Sequence, residues 1–138
     1  MNVLAFISFV CCSAVFGLPY YRDRIPNGHH VPNPCDGGAT IWEAVGHYNP
    51  HYYTVDKNPF AQDFAAAGHV WTVALCQKDS DGDGATNGVE LGDPTCVWTA
   101  GATPTGSATG HPGICNPVGS CAGQAYTCDC VGHNCVGK

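Results

Sequence analysis

The stretch Asp79–Glu90, DSDGDGATNGVE, concentrates carboxylates in a chain in which only 12% of the residues are charged. It fits the pattern D-x-D-x-D-G-x5-E, which is the calcium-binding loop of EF-hand proteins. The pattern assigns oxygen ligands to Asp79, Asp81, Asp83, the carbonyl group of Ala85, Asn87 and Glu90. Because every donor is an oxygen and the loop offers seven potential coordination points, the stretch predicts calcium rather than zinc or magnesium. The competing interpretation is a solvated acidic turn that holds no metal.

The surroundings of this loop favour a structural site over a calcium switch. Gly92 and Pro94 stop any exit helix within about one turn, because neither residue propagates a helix. A calcium sensor normally opens a pair of helices, and the sequence contains no second loop of this kind. Cys76 and Cys96 bracket the loop, which leads to the hypothesis that they form a disulfide.

The histidines give no strong catalytic pattern. There are seven of them, but neither H-x-H nor H-E-x-x-H occurs, and Asn49-Pro50 separates His47 from His51. A copper or zinc site formed by His47, His69 and His111 is the alternative interpretation. No G-x-S-x-G elbow is present, so the sequence predicts that the protein is not an enzyme.

The first seventeen residues are apolar and uncharged, which predicts a secretory signal peptide over 1–17. An uncleaved apolar helix is the alternative. Beyond this segment the chain has eight cysteines, at positions 35, 76, 96, 115, 121, 128, 130 and 135. An even number in a small secreted chain indicates a disulfide framework. A zinc site at Cys128-x-Cys130 is the competing interpretation.

The charge pattern excludes several classes of partner. The formal net charge is −6 and the sequence has no basic stripe, which argues against nucleic-acid binding and against polybasic membrane docking. No second apolar stretch reaches membrane length, so we expect no membrane span. Tyr52 and Tyr53 lie in a polar, proline-flanked segment and are weak candidates for contact with a protein partner.

One segment should position the acidic loop. Asn58 is a good N-cap, Pro59 suits a first helical turn, and Phe60, Phe64, Trp71 and Leu75 recur at helical spacing. We therefore predict a small, disulfide-rich α+β or irregular domain with one main helix, at about 59–77. This helix leads into a single EF-hand-like calcium loop. A few short strands should follow, one of them at 96–99. The tail 116–138 should be ordered only by crosslinks.

Several segments together resemble the temptin family of secreted, water-borne molluscan protein pheromones. They are IPNG (25–28), NPCDGG (33–38), IWEAVGH (41–47), NPFAQDFAAAGHVWTVALC (58–76), DSDGDGATNGVELGDPTCVW (79–98) and HPG (111–113). The resemblance implies a disulfide between Cys76 and Cys96. It implies a second one from Cys35 to a cysteine near the end of the domain, either Cys115 or Cys121. The cysteine-rich tail departs from the family pattern.

The resulting domain prediction is a signal peptide at 1–17, a temptin-like domain at 18–115 and a cysteine-rich tail at 116–138. The resemblance implies a secreted signal that acts in attraction or aggregation through other secreted pheromone proteins or a cell-surface receptor. The acidic loop and the crosslinked tail also fit a structural calcium-binding protein of an extracellular or mineralising matrix. A copper or zinc enzyme built on the histidines is the third hypothesis.

Overall fold

The computed structural model describes residues 19–137 and contains four short helices in this range. They are α1 (Pro19–Arg22), α2 (Pro59–Ala66), α3 (Val73–Gln77) and α4 (Asn87–Glu90). The predicted signal peptide lies outside the described residues. None of the helices within 19–137 is long and apolar enough to cross a membrane. The rest of the described chain consists of turns and irregular segments.

The predicted single helix over about 59–77 is wrong, because the segment forms α2 and α3 with a break between them. Asn58 caps α2 by accepting a hydrogen bond from the amide of Ala61 (3.0 Å). The helix ends because Gly68 and His69 both adopt left-handed backbone angles, with φ of 73° and 57°. A new N-cap, Thr72, then starts α3 and places Leu75 in the core.

The predicted strands and the EF-hand-like fold are also wrong. Within residues 19–137 no strand forms, and pairing is limited to the isolated bridges Pro32–Ile41 and His47–Lys57. The helices α3 and α4 pack against each other on either side of the acidic loop, but they have only five and four residues. The fold is therefore a small, mostly irregular domain rather than an α+β domain organised by one main helix.

Four disulfides hold together the part of the chain that the structure describes. They join Cys35 to Cys128, Cys76 to Cys96, Cys115 to Cys121 and Cys130 to Cys135. The expectation that Cys35 pairs with Cys115 or Cys121 is wrong, because Cys115 and Cys121 bond to each other. The zinc alternative at Cys128 and Cys130 has no thiolates available, since both sulfurs are in disulfides.

The tail contributes to the core as well as to the crosslinks. Tyr126 is buried, stacks on Tyr48 with ring centroids 5.7 Å apart, and meets Trp42 edge-on. The side chain of Gln124 accepts from the amide of Cys115 (2.9 Å) and donates to the carbonyl of Gly113 (3.0 Å). The expectation that crosslinks alone order the tail is therefore wrong. Tyr126 and Gln124 are isolated in the tail sequence, so periodicity does not reveal this packing.

His111 lies at the centre of the same core. It is fully buried, and its ring contacts Trp42 with centroids 4.8 Å apart. Its Nδ1 accepts a hydrogen bond from the amide of Gly113 (3.0 Å), while its Nε2 has no partner within residues 19–137. Burial lowers the pKa of His111 to about 3, so the ring is neutral in the folded protein at neutral pH.

Acidification should destabilise the fold through His111. The pKa of His111 is 6.5 in the unfolded chain and about 3 in the folded protein. The stability that depends on a neutral His111 is therefore fully present above pH 6.5 and is lost as the pH falls toward 3. Inside this window each pH unit should lower the free energy of unfolding by about 1.4 kcal/mol. The measurement is urea unfolding at several pH values in chelator, on the wild type and on His111→Asn, which keeps an acceptor near Gly113. Parallel pH slopes for the two proteins would contradict this assignment.

Candidate metal centre

Three aspartates converge in the loop between α3 and α4. Asp79, Asp81 and Asp83 each offer a carboxylate oxygen, and these oxygens lie within 4.8 Å of one another. Asp79 accepts hydrogen bonds from the amides of Gly82 and Gly84, each at 2.8 Å, which coil the loop around its carboxylate. Gly84 has a φ of 99°, a backbone angle that only glycine adopts readily. The loop therefore makes a sharp turn at Gly84.

The carboxylate of Asp81 is only partly satisfied by the protein, whereas both oxygens of Asp83 accept hydrogen bonds. Asp81 Oδ1 accepts from the amide of Asp83 (3.1 Å), but its buried Oδ2 has no partner within the described residues. Asp83 Oδ1 accepts from the amide of Ala85 (2.9 Å), and Oδ2 from that of Asn116 (3.1 Å). The loop is thus attached to the segment that follows the core residue Ile114.

Glu90 closes the loop from α4. Its side chain is 3% exposed, and its Oε2 has no hydrogen-bond partner within residues 19–137. Burial, together with the negative charges of Asp81, Asp83 and Asp79, raises the pKa of Glu90 to about 10. Glu90 lines an open cavity beside the loop with Asp83 and Ala85.

The electrostatics of this site favour the binding of a cation. Burial and the neighbouring charge of Asp83 raise the pKa of Asp81 to about 8, so Asp81 and Glu90 both resist ionisation when no cation is present. Two buried carboxylate oxygens without partners are rare in folded proteins, because such groups cost free energy. The all-oxygen donor set fits a hard divalent cation such as calcium.

Asn87 has a different position from the other predicted ligands. It is fully buried, and its Nδ2 donates to the carbonyl of Leu75 and to Ser80 Oγ, both at 2.8 Å. Its Oδ1 accepts from the amide of Ser80 (3.3 Å). The amide therefore ties α4 to α3 and to the start of the loop. Both ends of its side chain are already used by protein groups.

Replacing Asn87 by alanine should lower the free energy of unfolding by about 2–3 kcal/mol. The loss follows because the carbonyl of Leu75 keeps only the amide of Lys78 as a donor, the hydrogen bonds to Ser80 are lost and a small void forms. Thermal unfolding should show the same loss with and without calcium. Gln62→Ala is the matched control, since Gln62 also donates from an amide to a backbone carbonyl but is exposed. Equal effects of the two substitutions would count against the proposed role of Asn87.

The exit from the loop depends on a residue that the sequence did not single out. Asp93 is fully buried, and it accepts hydrogen bonds from Trp71 Nε1 (2.9 Å) and from the amides of Val97 (3.0 Å) and Trp98 (3.2 Å). The disulfide between Cys76 and Cys96 joins the two sides of the loop nearby. In the sequence Asp93 appears only as part of a Gly-Asp-Pro stop signal, which does not reveal that its carboxylate is buried.

The other candidate metal groups do not come together. Asp81 lies near the sulfurs of Cys115 and Cys121, but those sulfurs form a disulfide and cannot act as thiolate ligands. Within residues 19–137 no cluster of three metal-binding side chains includes a histidine. His47 contacts the carbonyl of Thr54 through Nδ1, and His69 stacks on Tyr21.

The candidate contact residues Tyr52 and Tyr53 lie on the surface, 46% and 45% exposed. The tail holds this segment from one side. The His133 ring meets that of Tyr52 with centroids 4.9 Å apart, and His133 Nδ1 lies 3.1 Å from the carbonyl oxygen of Tyr53. The two rings are therefore available to a partner on a segment whose backbone is anchored.

The geometry defines a small disulfide-bonded domain with a candidate site for a hard cation. The chain belongs to the temptin family: the family model described as Temptin C-terminal matches residues 15–114. The chain is also 48% identical over 122 residues to Temptin of Aplysia californica, which covers 88% of this chain and 95% of that protein. No solved structure matches the chain. The family predicted from the sequence is confirmed.

Proposed function

We propose that the protein is a secreted pheromone that acts in attraction or aggregation, together with other secreted proteins or a cell-surface receptor. The observation that carries this proposal is the 48% identity with Temptin over nearly the whole length of both chains. Four disulfides support an oxidising, extracellular location. They also suit a signal that must survive dilution in water, because crosslinks limit unfolding at any protein concentration.

The second part of the proposal is a calcium ion bound in the loop 79–90. The buried, unpartnered oxygens of Asp81 and Glu90 support it, together with the converging carboxylates of Asp79 and Asp83. A bound calcium ion supplies positive charge that offsets the mutual repulsion of these groups. The protein's part is to hold the oxygens in one place through α4 and the loop amides. The role of the ion is then to fix the shape of this surface.

Two measurements test the two parts separately. In a water-borne choice assay, purified protein should attract animals of the source species, alone or combined with their other secreted proteins. Heat-unfolded, reduced protein is the control, and equal responses to both forms would remove support for the pheromone role.

Calorimetric titration of the chelator-treated protein should show one calcium site. Extracellular sites of this type have a Kd of about 10⁻⁴–10⁻³ M. Many weak sites per chain would instead favour the structural matrix protein. Binding of zinc or copper in preference to calcium would favour the histidine-based alternative.

A further inference from the structure

A cleft on the surface between α1, α2 and the segment 43–47 is not explained by the calcium site. Its floor is apolar and includes Ile25, Val45, Phe60 and Phe64, all of them buried. Its walls carry the rings of Tyr21, His47, Tyr53 and His69. Contacts among these rings fix the walls: Tyr21 stacks on His69 at 4.5 Å and meets Phe64 edge-on at 5.9 Å, measured between centroids.

The size of the cleft limits what can enter it. Its volume is about 90 Å³, whereas a dry cavity of about 150 Å³ accepts a benzene molecule. The cleft therefore has room for one small aliphatic group, such as the branched end of a leucine side chain. A free small molecule held by one such group would bind weakly, because so little apolar surface is buried.

The charges at the opening favour an anion. Arg22 and Lys57 both line the cleft, although the whole chain has five basic residues and a net charge of −6. The Nε of Arg22 donates to the carbonyl of Gly28 (3.1 Å), which holds the guanidinium in place. Within residues 19–137 neither Arg22 nor Lys57 forms an ion pair. Glu43 is the acidic group of the lining, and its Oε2 lies 3.8 Å from His51 Nδ1.

The surface beside the cleft supports a protein as the occupant. Tyr53 belongs to the cleft wall, and the adjoining residues Tyr52 and Val55 are exposed apolar side chains. Exposed aromatic and aliphatic groups around a small pocket are typical of a protein interface, in which one anchor side chain fills the pocket. The adjoining surface would supply the contact area that the cleft lacks.

We propose that this cleft docks one aliphatic side chain of a protein partner, whose neighbouring carboxylate is held by Arg22 and Lys57. The inference rests on the proposed function, in which the protein acts through a partner. It adds the place where that partner binds and the chemistry that the partner presents there.

N-Acetyl-L-leucine is a minimal probe, because it carries a branched aliphatic group next to a carboxylate. Titrated at millimolar concentration into ¹⁵N-labelled protein, it should shift the amide signals of Val45, Ala61 and Phe64. It should bind about threefold to tenfold more tightly than N-acetyl-L-leucinamide, which has the same side chain without the charge. Shifts scattered over the surface, or equal binding of the two probes, would overturn the proposal.

Two variants make this test specific. Lys57→Gln should remove most of the preference for the acid, whereas Lys78→Gln should not, because Lys78 is paired with Asp63 outside the cleft. Ala61→Met should block both probes, because Ala61 is a half-buried residue of the lining. Unfolding temperatures near that of the wild type show that these variants fold. Unchanged probe binding in both cleft variants would refute the assignment.

The choice assay separates this inference from the proposed function. Loss of attraction with Ala61→Met and Lys57→Gln, but not with Lys78→Gln, supports the cleft as the partner site. Full attraction by both cleft variants overturns the assignment of the cleft as the partner site and leaves the pheromone role intact. If the wild type attracts no animals, the pheromone role fails while the probe titration still decides the cleft. Sedimentation is measured on the wild type and on Ala61→Met. If the wild type self-associates and Ala61→Met does not, a second copy of this chain occupies the cleft, which overturns the proposal of a different partner protein.

Discussion

Replacing both Cys35 and Cys128 by alanine should lower the free energy of unfolding by about 4–5 kcal/mol, the largest effect expected from removal of one disulfide in this chain. This bond joins residues 93 positions apart, whereas the other three bonds span 20, 6 and 5 positions. A crosslink restricts the unfolded chain more when it closes a longer loop. The tail should then be held by non-covalent contacts with the rest of the domain, such as those of Tyr126, Gln124 and His133.

The control is the double alanine variant of Cys130 and Cys135, whose short loop should contribute only about 2 kcal/mol. Urea unfolding of both variants, with the remaining disulfides verified by peptide mapping, gives the two free energies. Equal losses would show that loop length does not determine the contribution of these bonds. Removal of both cysteines at once avoids a free thiol that could exchange with the other disulfides.

Family membership and the acidic loop could be recognised from the sequence because each depends on short patterns of neighbouring residues. The residues 79–90 fill a known pattern position by position, and the loop forms from contacts between near neighbours such as Asp79 with Gly84. The N-cap at Asn58 is local in the same way. These features need no knowledge of distant segments, so a single sequence is enough to predict them.

The break between α2 and α3 shows where helical periodicity fails. Phe60, Phe64 and Leu75 are all buried, as the spacing suggested, yet they lie on two helices. A glycine inside a helical pattern, such as Gly68, predicts a close approach of another segment. A Cβ placed on Gly68 would meet nothing within 4 Å, and its φ of 73° instead ends α2. Both roles use glycine, so the residue type alone could not distinguish them.

The long-range contacts could not be predicted, because they join segments with no shared pattern. The amide of Asn116 reaches the carboxylate of Asp83, and Asp93 accepts from Trp71, which lies 22 positions away. The pairing of Cys35 with Cys128 is of the same kind, since eight cysteines permit 105 connectivities. The contacts of Asn116 and Cys128 bring the tail against the domain, which the division into a domain and a separate tail did not suggest.

Calcium should raise the unfolding temperature of the chelator-treated protein, and Glu90→Gln should remove most of this response. At a calcium concentration ten to one hundred times Kd, binding to the folded state adds about 1.4–2.7 kcal/mol to the free energy of unfolding. For a domain of this size the midpoint should rise by about 5–10 °C. Differential scanning calorimetry over a series of calcium concentrations measures the shift.

When calcium is absent, Glu90→Gln should raise the unfolding temperature instead of lowering it relative to the wild type. The pKa of Glu90 is raised to about 10 from an ordinary value of 4.5, so between these values its tendency to ionise when unfolded opposes folding. A neutral glutamine removes that opposition, so in chelator at pH 8 Glu90→Gln should unfold at a higher temperature than the wild type. Glu43→Gln is the matched control, because Glu43 is exposed and lies outside the loop. An unchanged calcium response in Glu90→Gln would show that Glu90 does not bind the ion. A lower midpoint in chelator would show that burial of the Glu90 carboxyl group does not oppose folding.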